Sequence, residues 1–516
     1  MADLKQVLFS EIDGFKEQGH KFLNKELNVG QFKGISGGMG VYAHRGGTKF
    51  MIRLRVPSGA IDIEKFKIVC GYLKKYNLDG LHLTTREDLQ LHGLEFDETI
   101  EIMKDALDND IYTRGGGGNF PRNVAISPLS GVEKNEAFDV TPYALIVNKY
   151  FLDKIYTYHL PRKLKVSFSN SDEDTANCTA QDLGFVATVK DNKQYFRVFA
   201  GGGLGNNPRK GFELDNLIEP SDTLYYVEGI TQLFINEGDY ENKGKARIRY
   251  IAERMGREKF LKQLQHCVDL EKQKNNLNFE ISQTTINKKG ETISFQDKRV
   301  IEQKQEGLYS VYVHPIGGQL KLKDIENILA EADKIKDFEI RLSMSEGMYI
   351  RNLNGKEALN IFEITKNIGG TFDLEYSTAC IGVPTCQVGI GQSQKLLNDI
   401  IKFFNQKGYS ENILPKVQIS GCQNSCATHE IAKIGFTGKK KRVDEELKEV
   451  FALSIGGSSN LSNNVLGISK GDILSEKIPE FLYELYENIK ATGLNFDDFI
   501  VKEENNLNKI IDKYLI

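Results

Sequence analysis

The sequence repeats one pattern at a spacing of 259 residues, and this repeat restricts the folds open to the chain. Residues 53–61 and 81–86 are echoed by residues 312–320 and 340–345. Between these segments apolar side chains recur every three or four positions, namely Phe66, Val69, Cys70 and Leu73 in the first copy and Ile325, Ile328, Leu329 and Ala332 in the second. Each copy is therefore predicted to form a strand, an amphipathic helix and a strand, with a further strand at residues 89–92 and 348–351.

A second pair of similar segments follows in the same order, because residues 195–203 resemble residues 449–457. The sequence thus predicts an internally duplicated, pseudo-twofold α+β protein, joined through the polar stretch near residues 270–305. A chain of 516 residues is too long for one compact core. Its 40% hydrophobic and 27% charged content is typical of a globular protein.

Charge and hydropathy exclude several classes of function. The formal net charge of -4 argues against a dedicated nucleic-acid binder. No apolar run reaches the roughly 20 residues that a membrane-spanning helix needs, and the N-terminus has no signal-like apolar stretch. The glycine-rich residues 34–40 and 201–205 lack the context of a dinucleotide site and are predicted to be tight turns. We therefore expect a cytoplasmic protein without nucleic-acid or membrane partners and without its own flavin or NADPH module.

Four of the seven cysteines form two close pairs, Cys380-x5-Cys386 and Cys422-x3-Cys426. Four thiolates suit an iron–sulfur cluster, because soft sulfur ligands hold its irons. A structural zinc site is the alternative, but zinc pairs favour tighter spacings than the first pair shows. Only the second copy has these pairs, whereas its counterparts of Arg53, Arg55 and Arg86 are uncharged at neutral pH, namely Tyr312, His314 and Ser345. This division predicts one composite site built from both halves.

The cysteine pattern and the duplication resemble those of the siroheme-dependent sulfite and nitrite reductases, from about residue 40 to residue 500. One departure is Gln423, which stands where the family usually has proline. The resemblance implies two ferredoxin-like half-domains and two larger α+β domains that bind siroheme and a [4Fe–4S] cluster. The implied division is an N-terminal arm (1–45), a first half-domain (46–112), a siroheme and substrate domain (113–275), a linker (276–304), a second half-domain (305–368) and a cluster domain (369–516).

The resemblance also implies roles for single residues. Cys380, Cys386, Cys422 and Cys426 would hold the [4Fe–4S] cluster, with Cys426 bridging it to siroheme. Siroheme carries eight carboxylates, so we expect compensating cations on inward-facing strands; on one such strand Arg53 and Arg55 share a face. The implied siroheme-binding residues are Arg55, Arg86, Gln90, Arg122, Lys163, Arg247, Arg249, Asn424 and Cys426. The implied catalytic residues, which would bind a small oxyanion and supply protons, are Arg53, Arg122, Lys163 and Lys165.

The expected reaction is the six-electron reduction of sulfite to sulfide, with electrons from ferredoxin or a separate flavoprotein. Nitrite reductases of the family typically have Lys-x-Asn where this chain has Lys163-Leu164-Lys165, and two lysines suit a dianion. Reduction of nitrite to ammonia is the first alternative, since Asn424-Ser425-Cys426 is also common in nitrite reductases. A non-catalytic iron–sulfur electron-transfer protein is the second. The basic run 439–442 is predicted to be a solvated hairpin tip that could also attract an acidic ferredoxin.

Overall fold

The computed structural model describes residues 3–282 and 285–516, and within them the chain forms four five-stranded sheets. Two sheets follow the repeat at a spacing of 259 residues, and the other two repeat each other strand for strand. The predicted duplicated α+β fold is therefore confirmed. The predicted linker 276–304 includes residues 283–284, which lie outside the described part of the chain, as do residues 1–2 of the predicted arm.

The first part of the chain packs four helices on one antiparallel sheet. Its elements are α1 (Leu4–Leu23), α2 (Val29–Ser36), β1 (Val41–Ala43), β2 (Phe50–Leu54), β3 (Ala60–Ile61), α3 (Ile63–Lys75), β4 (Gly80–Leu83), β5 (Leu89–Leu94) and α4 (Phe96–Asp108). The α3 residues predicted to face the core are buried. The predicted arm contains α1, α2 and β1, and Gly34 belongs to α2 instead of a tight turn. A 3-10 turn at Gly37–Met39 follows α2.

The second part carries a mixed sheet in the order β10-β9-β8-β7-β6. Its elements are β6 (Ala125–Ile126), α5 (Thr141–Asp153), β7 (Val166–Ser169), β8 (Leu183–Lys190), β9 (Lys193–Ala200), β10 (Phe212–Glu213), α6 (Thr223–Glu237) and α7 (Ile248–Lys274). Strands β6, β7 and β8 are parallel, and β9 and β10 add to them antiparallel.

The third part repeats the first. Its elements are β11 (Val300–Glu302), β12 (Leu308–Val313), β13 (Gln319–Lys321), α8 (Leu322–Ala332), β14 (Glu339–Leu342), β15 (Met348–Asn354) and α9 (Gly355–Thr365). The α8 residues predicted for the core, Ile325, Ile328, Leu329 and Ala332, are buried.

The first and third parts exchange edge strands, which the sequence did not predict. Strand β3 of the first part pairs with β14 of the third, with Ile61 opposite Ile340. Strand β13 of the third part pairs with β4 of the first, with Leu320 opposite Leu81. Neither sheet is therefore complete without the other half of the chain, and neither exposes those strand edges to water.

The fourth part repeats the second. Its elements are β16 (Thr378–Ala379), α10 (Ser393–Lys407), β17 (Val417–Ser420), β18 (Ile434–Val443), β19 (Glu446–Ile455), β20 (Ile468–Leu474), α11 (Ile478–Thr492), α12 (Phe496–Lys502) and α13 (Glu504–Tyr514). Strands β16, β17 and β18 are parallel, and β19 and β20 are antiparallel to their neighbours. The run 439–442 lies near the end of the β18–β19 hairpin, as predicted.

The apolar interior divides in a way that places the site. One continuous core runs from Leu8 to Ile368 and joins the first three sheets, whereas the fourth sheet has its own core from Leu374 to Tyr514. The boundary between these cores is where the cysteines of the fourth part meet the cations of the first two. No helix in the described residues is long and apolar enough to cross a lipid bilayer.

Candidate functional site

The cysteine pairs meet because they follow neighbouring parallel strands. Cys380 comes directly after β16, and Cys422 comes two residues after β17, at the same edge of the fourth sheet. The carboxyl ends of parallel strands are a common position for ligand sites, since their loops emerge side by side. The short loops that follow bring Cys386 and Cys426 to the same edge.

The thiols receive hydrogen bonds from the surrounding backbone. Gly421 N–H donates to Cys380 Sγ at 3.1 Å, and Ser393 Oγ lies 3.3 Å from the same sulfur. Burial raises the pKa of the thiols of Cys380, Cys386 and Cys422, and the proximity of Cys426 raises each of them further. The four cysteines therefore form one electrostatically coupled group, whose thiols a metal must deprotonate on binding. Among the described residues no three His, Cys, Asp or Glu side chains converge as around a single metal ion.

A cationic cluster lies beside Cys426. Leu164 bridges to Pro121, and Arg122 N–H donates to Leu164 O at 2.9 Å, so Lys163 and Lys165 flank the segment that carries Arg122. Burial and the charges of Lys165, Arg247 and Arg122 hold the pKa of Lys163 well below its usual range.

The pKa values of the neighbouring cations are lowered in the same way. Burial, Arg86 and Arg247 lower the pKa of Lys165 to about 7, although Asp182 and Cys426 act in the opposite direction. Burial lowers the pKa of Arg122 to about 9, and Arg53, Arg162 and Arg55 contribute to this shift. The cluster thus holds more positive charge than its own carboxylates neutralise, which is the condition expected for an anion site.

Strand β2 and the glycine loop 113–118 position a second set of donors. Arg53 Nη1 donates to Gly116 O at 2.5 Å, and Arg55 Nη1 donates to Arg114 O at 3.1 Å. The Gln90 amide lies 2.6 Å from Arg53 Nη2 and 3.1 Å from His92 Nε2, so it accepts from the arginine when its oxygen faces Arg53.

Two of the predicted siroheme ligands are already heavily bonded to the chain itself. The buried Arg86 donates to Asn123 O, Gln181 Oε1 and Val166 O at 2.9, 3.1 and 2.6 Å. Arg122 donates to the carbonyls of Gly117, Phe120 and Gly118 at 2.8 to 3.0 Å. Each guanidinium has five N–H groups, so some of its donors are left for a ligand.

The expectation that the cations lie on inward-facing strands is wrong for most of them. Arg53 and Gln90 lie within β2 and β5, and Arg55 directly follows β2. Lys163 and Lys165 lie before β7 in an irregular segment, while Arg247 caps α7 and Arg249 lies in its first turn. Loops and helix ends bring charged groups together here because they let side chains approach from directions that a flat strand face does not allow.

Contacts between the halves close the site. Thr85 Oγ1, from the turn after β4, donates to Cys426 O at 2.5 Å. A Cβ on Gly205 would lie 3.2 Å from Gln423 O and 3.7 Å from Arg249 Nη2, and its φ of 111° also favours glycine where the loop 201–205 passes between these groups. Asn424 is exposed and lies in the short loop between Cys422 and Cys426. The structure therefore places the cysteines of one half against the cations of the other.

Several buried guanidinium nitrogens of this region have no hydrogen-bond partner in the described part of the chain, namely Arg209 Nη1, Arg247 Nε and Arg249 Nε. The other end of Arg247 is neutralised, because Nη2 lies 2.9 Å from both Asp182 oxygens. Buried donors without acceptors are costly, by about 1–3 kcal/mol each. A ligand with several carboxylates would satisfy them.

Sequence reasoning missed Arg209 and Lys210. Lys210 Nζ donates to Ser458 O at 2.8 Å, and burial lowers its pKa to about 8. These two cations come shortly after the glycine loop 201–205 in the sequence. Their nearness to that loop is the feature from which they could have been predicted to belong to the site. Their contribution depends on the fold, which turns them back beside Arg247 and Arg249; a Cβ on Gly203 would meet both of those arginines.

Comparison with known proteins agrees with this geometry. The family described as "Nitrite/Sulfite reductase ferredoxin-like half domain" matches residues 42–109, and "Nitrite and sulphite reductase 4Fe-4S domain" matches residues 117–272. The chain belongs to the siroheme- and [4Fe–4S]-dependent sulfite and nitrite reductase family. The matched residues are the first copy of each unit. The four paired cysteines lie in the second copy, where the strand order of β6–β10 recurs in β16–β20.

Relatives of this family match most of the chain. The sulfite reductase [NADPH] hemoprotein beta-component of Bacillus subtilis (strain 168) is 24% identical over 88% of this chain and 84% of its own length. The chloroplastic ferredoxin–nitrite reductase of Arabidopsis thaliana is 24% identical over 84% of this chain and 75% of its own. The fold is that of the Mycobacterium tuberculosis NirA protein, with a TM-score of 0.79, 20% identity and coverage of 98% and 97% of the two chains.

Membership of this family implies siroheme and a [4Fe–4S] cluster as cofactors. The residues present fit both groups. The four cysteines lie in the loops that follow two neighbouring parallel strands, and four thiolates are the donor set that a cluster requires. The unneutralised cations and unpartnered guanidinium nitrogens beside Cys426 fit a buried cofactor that carries many carboxylates.

Proposed function

We propose that this protein reduces sulfite to sulfide with six electrons supplied by a separate carrier protein. The observation that carries the proposal is the pair Lys163 and Lys165, which share one cation cluster with Arg122 and Arg247. A dianion such as sulfite is stabilised by a second lysine more than a monoanion is, because its interaction with each cation is about twice as large. The siroheme and cluster supply the redox chemistry when bound.

The proposed binding residues follow the same division. Cys380, Cys386, Cys422 and Cys426 would hold the cluster, and Cys426 would also meet siroheme. Cations and polar groups around the glycine loops would bind the siroheme carboxylates and orient the ring, namely Arg55, Arg86, Gln90, Arg122, Lys163, Arg247, Arg249 and Asn424.

The chain's own catalytic contribution is charge and protons. Arg53, Arg122, Lys163 and Lys165 would bind the oxyanion, whose desolvation their charges offset. Because the pKa of Lys165 is about 7, its ammonium can release a proton at neutral pH and regain one from water. Lys163, whose pKa is also depressed, would share this role. Each S–O bond that breaks consumes protons, so such donors suit the reaction.

The test is a comparison of kcat/KM for sulfite and for nitrite in the purified, cofactor-loaded enzyme. Wild type should prefer sulfite, and Lys165→Asn should narrow the preference by roughly tenfold, since about 1.4 kcal/mol is the scale of one such charge contact. The exposed Lys440→Asn is the matched control and should leave the ratio unchanged. A wild-type enzyme that strongly prefers nitrite would overturn the sulfite assignment.

Nitrite reduction to ammonia is the second candidate function. The Asn424-Ser425-Cys426 segment favours it, as do relatives named as nitrite reductases in Arabidopsis thaliana and Haloferax mediterranei. A non-catalytic iron–sulfur protein would lack siroheme absorption, and a zinc-holding scaffold would be colourless. One visible spectrum with iron and sulfide analysis distinguishes these from the enzyme.

A further inference from the structure

We propose that Glu11 and Arg114 are positioning residues for the anion site and act on it through the loop 113–118. Glu11 lies in α1, within the predicted N-terminal arm, and neither residue belongs to the site predicted from the sequence. The inference rests on the proposed function, because it concerns how the arginines that would bind the oxyanion and siroheme are held. It adds to that function a requirement for the arm.

The loop 113–118 accepts hydrogen bonds from three guanidinium groups of the site. These groups belong to Arg53, Arg55 and Arg122, and their acceptors are the carbonyl groups of residues 114 and 116–118. A displacement of the loop would therefore move the acceptors of all three arginines at once. The position of the loop sets the direction in which their remaining N–H groups point.

The loop cannot fix its own position, because residues 115–118 are all glycine. Glycine has the greatest backbone freedom of any residue, and ordering it costs the most conformational entropy. Gly115 and Gly118 also have positive φ, at 77° and 66°. Neighbouring groups must therefore hold the loop, and Arg114 is the one charged side chain within it.

Arg114 forms a two-point ion pair with Glu11. Its Nε lies 2.7 Å from Oε2 and its Nη2 lies 3.2 Å from Oε1, and the two side chains are only 13% and 28% exposed. The third nitrogen, Nη1, donates to Gly38 O at 3.1 Å, and the guanidinium lies 4.1 Å from the centre of the Phe120 ring. Each guanidinium nitrogen is thus bonded within the chain, which holds the side chain in one orientation.

The arm also contacts the loop through the turn that follows α2, residues 37–40. Gly115 N–H donates to Gly38 O at 2.8 Å. A Cβ on Gly117 would lie 2.3 Å from Gly37 O, so the two glycine segments pack backbone against backbone. A side chain at this contact would push the loop away from the arm. The ion pair and the glycine contact therefore hold the loop against the same part of the chain.

The repeat supplies an internal comparison. At the spacing of 259 residues the turn 37–40 corresponds to residues 296–299, which contain no glycine. Both copies keep the backbone hydrogen bond from the strand to this turn, at 2.9 Å from Arg53 N–H and 2.7 Å from Tyr312 N–H. The glycine contact therefore belongs to the copy that carries the site arginines, and the shared fold does not require it.

The pair would affect the reaction through geometry. Arg114 is neutralised by Glu11, so it adds little to the positive charge that would attract the oxyanion. Loss of either partner would leave the other charge largely buried and unpaired, and it would release the loop. Because a displacement of about 1 Å can lower a rate about a hundredfold, a modest shift of the loop is enough to weaken substrate binding.

The experiment compares Glu11→Gln and Arg114→Met with Arg197→Met in the cofactor-loaded protein. Arg197 is the matched control, because it forms a two-point ion pair of the same geometry with Glu213, at 2.8 and 3.2 Å. Hydrogen exchange followed by mass spectrometry is measured on peptides that cover residues 113–118. Both test variants should speed exchange there about tenfold, whereas Arg197→Met should leave it unchanged.

Turnover of the same proteins is measured with sulfite and with nitrite, using reduced methyl viologen as the electron source. Glu11→Gln and Arg114→Met should lower kcat/KM about tenfold, mainly by raising KM, because the oxyanion meets misplaced donors. In an Arg53→Ala background the loss caused by Arg114→Met should become smaller, since one of the groups that it positions is absent. A general loss of stability would lower kcat/KM by the same factor in both backgrounds.

Unchanged exchange of residues 113–118 in both test variants would overturn the positioning proposal. A loss of kcat/KM in Arg197→Met as large as in Arg114→Met would also overturn it, as would a fully additive loss in the Arg53→Ala background. A wild type that reduces neither sulfite nor nitrite would instead contradict the proposed function. Hydrogen exchange still reports on the loop in that case, so the two failures are distinguishable.

Discussion

At the scale of residues, the site is defined by charge that the chain does not neutralise. The charges of Lys165, Arg247 and Arg122 help to depress the pKa of Lys163. Arg247 also lowers the pKa of Lys165, and the buried carboxylate of Asp182 lies beside them. A folded protein tolerates such crowding when a ligand supplies the missing negative charge. In the cofactor-free chain the repulsion between these cations instead lowers the free energy of unfolding.

This cost predicts a pH dependence of stability for the cofactor-free protein. The pKa of Lys165 is about 7 in the folded chain and about 10.4 when unfolded. Between these two pH values folding releases a proton from Lys165. The loss of stability caused by burying its charge is therefore largest below pH 7 and disappears as the pH rises toward 10. Replacing Lys165 with Met should thus stabilise the protein at pH 7 and do so progressively less at higher pH.

The measurement is the free energy of unfolding by urea from pH 7 to pH 10, as the difference between wild type and variant. Taking the difference removes the contributions of titrating groups that do not interact with Lys165. Loss of its charge also raises the depressed pKa of Lys163, which adds to the stabilisation at pH 7. Lys440→Met is the matched control for loss of an exposed lysine. The prediction would be contradicted if the difference in unfolding free energy between Lys165→Met and wild type did not change with pH. It would also be contradicted if that difference changed equally for Lys440→Met.

At the scale of elements, each ferredoxin-like half is joined to the sheet that follows it by the same interaction, a hydrogen bond from a strand N–H to a buried glutamate. Glu87 and Glu346 stand at equivalent turns with φ of 56° and 63°. The Glu87 carboxylate accepts Ile126 N–H, and that of Glu346 accepts Ala379 N–H at 2.9 Å. Gly59 and Gly318 each pack against the glutamate of their own half and against a backbone carbonyl of the opposite half, Leu342 O and Leu83 O respectively. The device fixes β16, and with it Cys380, relative to the halves.

The two glycines should therefore not tolerate a side chain. Their φ values are 66° and 73°, and a Cβ would lie 2.9 Å from Leu342 O in one case and 2.7 Å from Leu83 O in the other. Gly59→Ala and Gly318→Ala should each destabilise the fold by more than about 1 kcal/mol. Gly71→Ala, in the open middle of α3, should stabilise it by about 0.5–1 kcal/mol. Thermal unfolding of the three variants measures this order of stability. A loss of stability in Gly71→Ala as large as in the other two would refute the prediction.

At the scale of the whole molecule, the exchange of β3 and β13 makes the two halves interdependent. Leu320 is 1% exposed and pairs with Leu81 of the other half. The first three sheets also share one apolar core. We therefore expect these parts to unfold together, not as separate ferredoxin-like units.

Leu320→Ala should cost about 2–5 kcal/mol and reduce amide protection in β4 as well as in β13. Lys321→Ala changes an exposed side chain on the same strand and should leave protection in β4 unchanged. Hydrogen exchange followed by mass spectrometry measures both segments. Protection lost in β13 alone would show that the halves are independent.

The sequence by itself determined the duplication, the amphipathic helices and the four cysteines, because these depend on periodicity and spacing along the chain. Val69 on α3 and Ile328 on α8 could be assigned to the core from helical spacing alone. The sequence also placed the cations and cysteines in different halves, which predicted a composite site without giving its geometry.

Only the tertiary structure decided which edges pair and which charges meet. The exchange of β3 and β13 joins residues hundreds of positions apart, and strands of two or three residues carry too weak a pattern to reveal it. Arg209 and Lys210 join the site only through a turn of the chain, which brings them back beside Gly203, Arg247 and Arg249. Pairing and neutralisation depend on distances in space, which local sequence patterns do not encode.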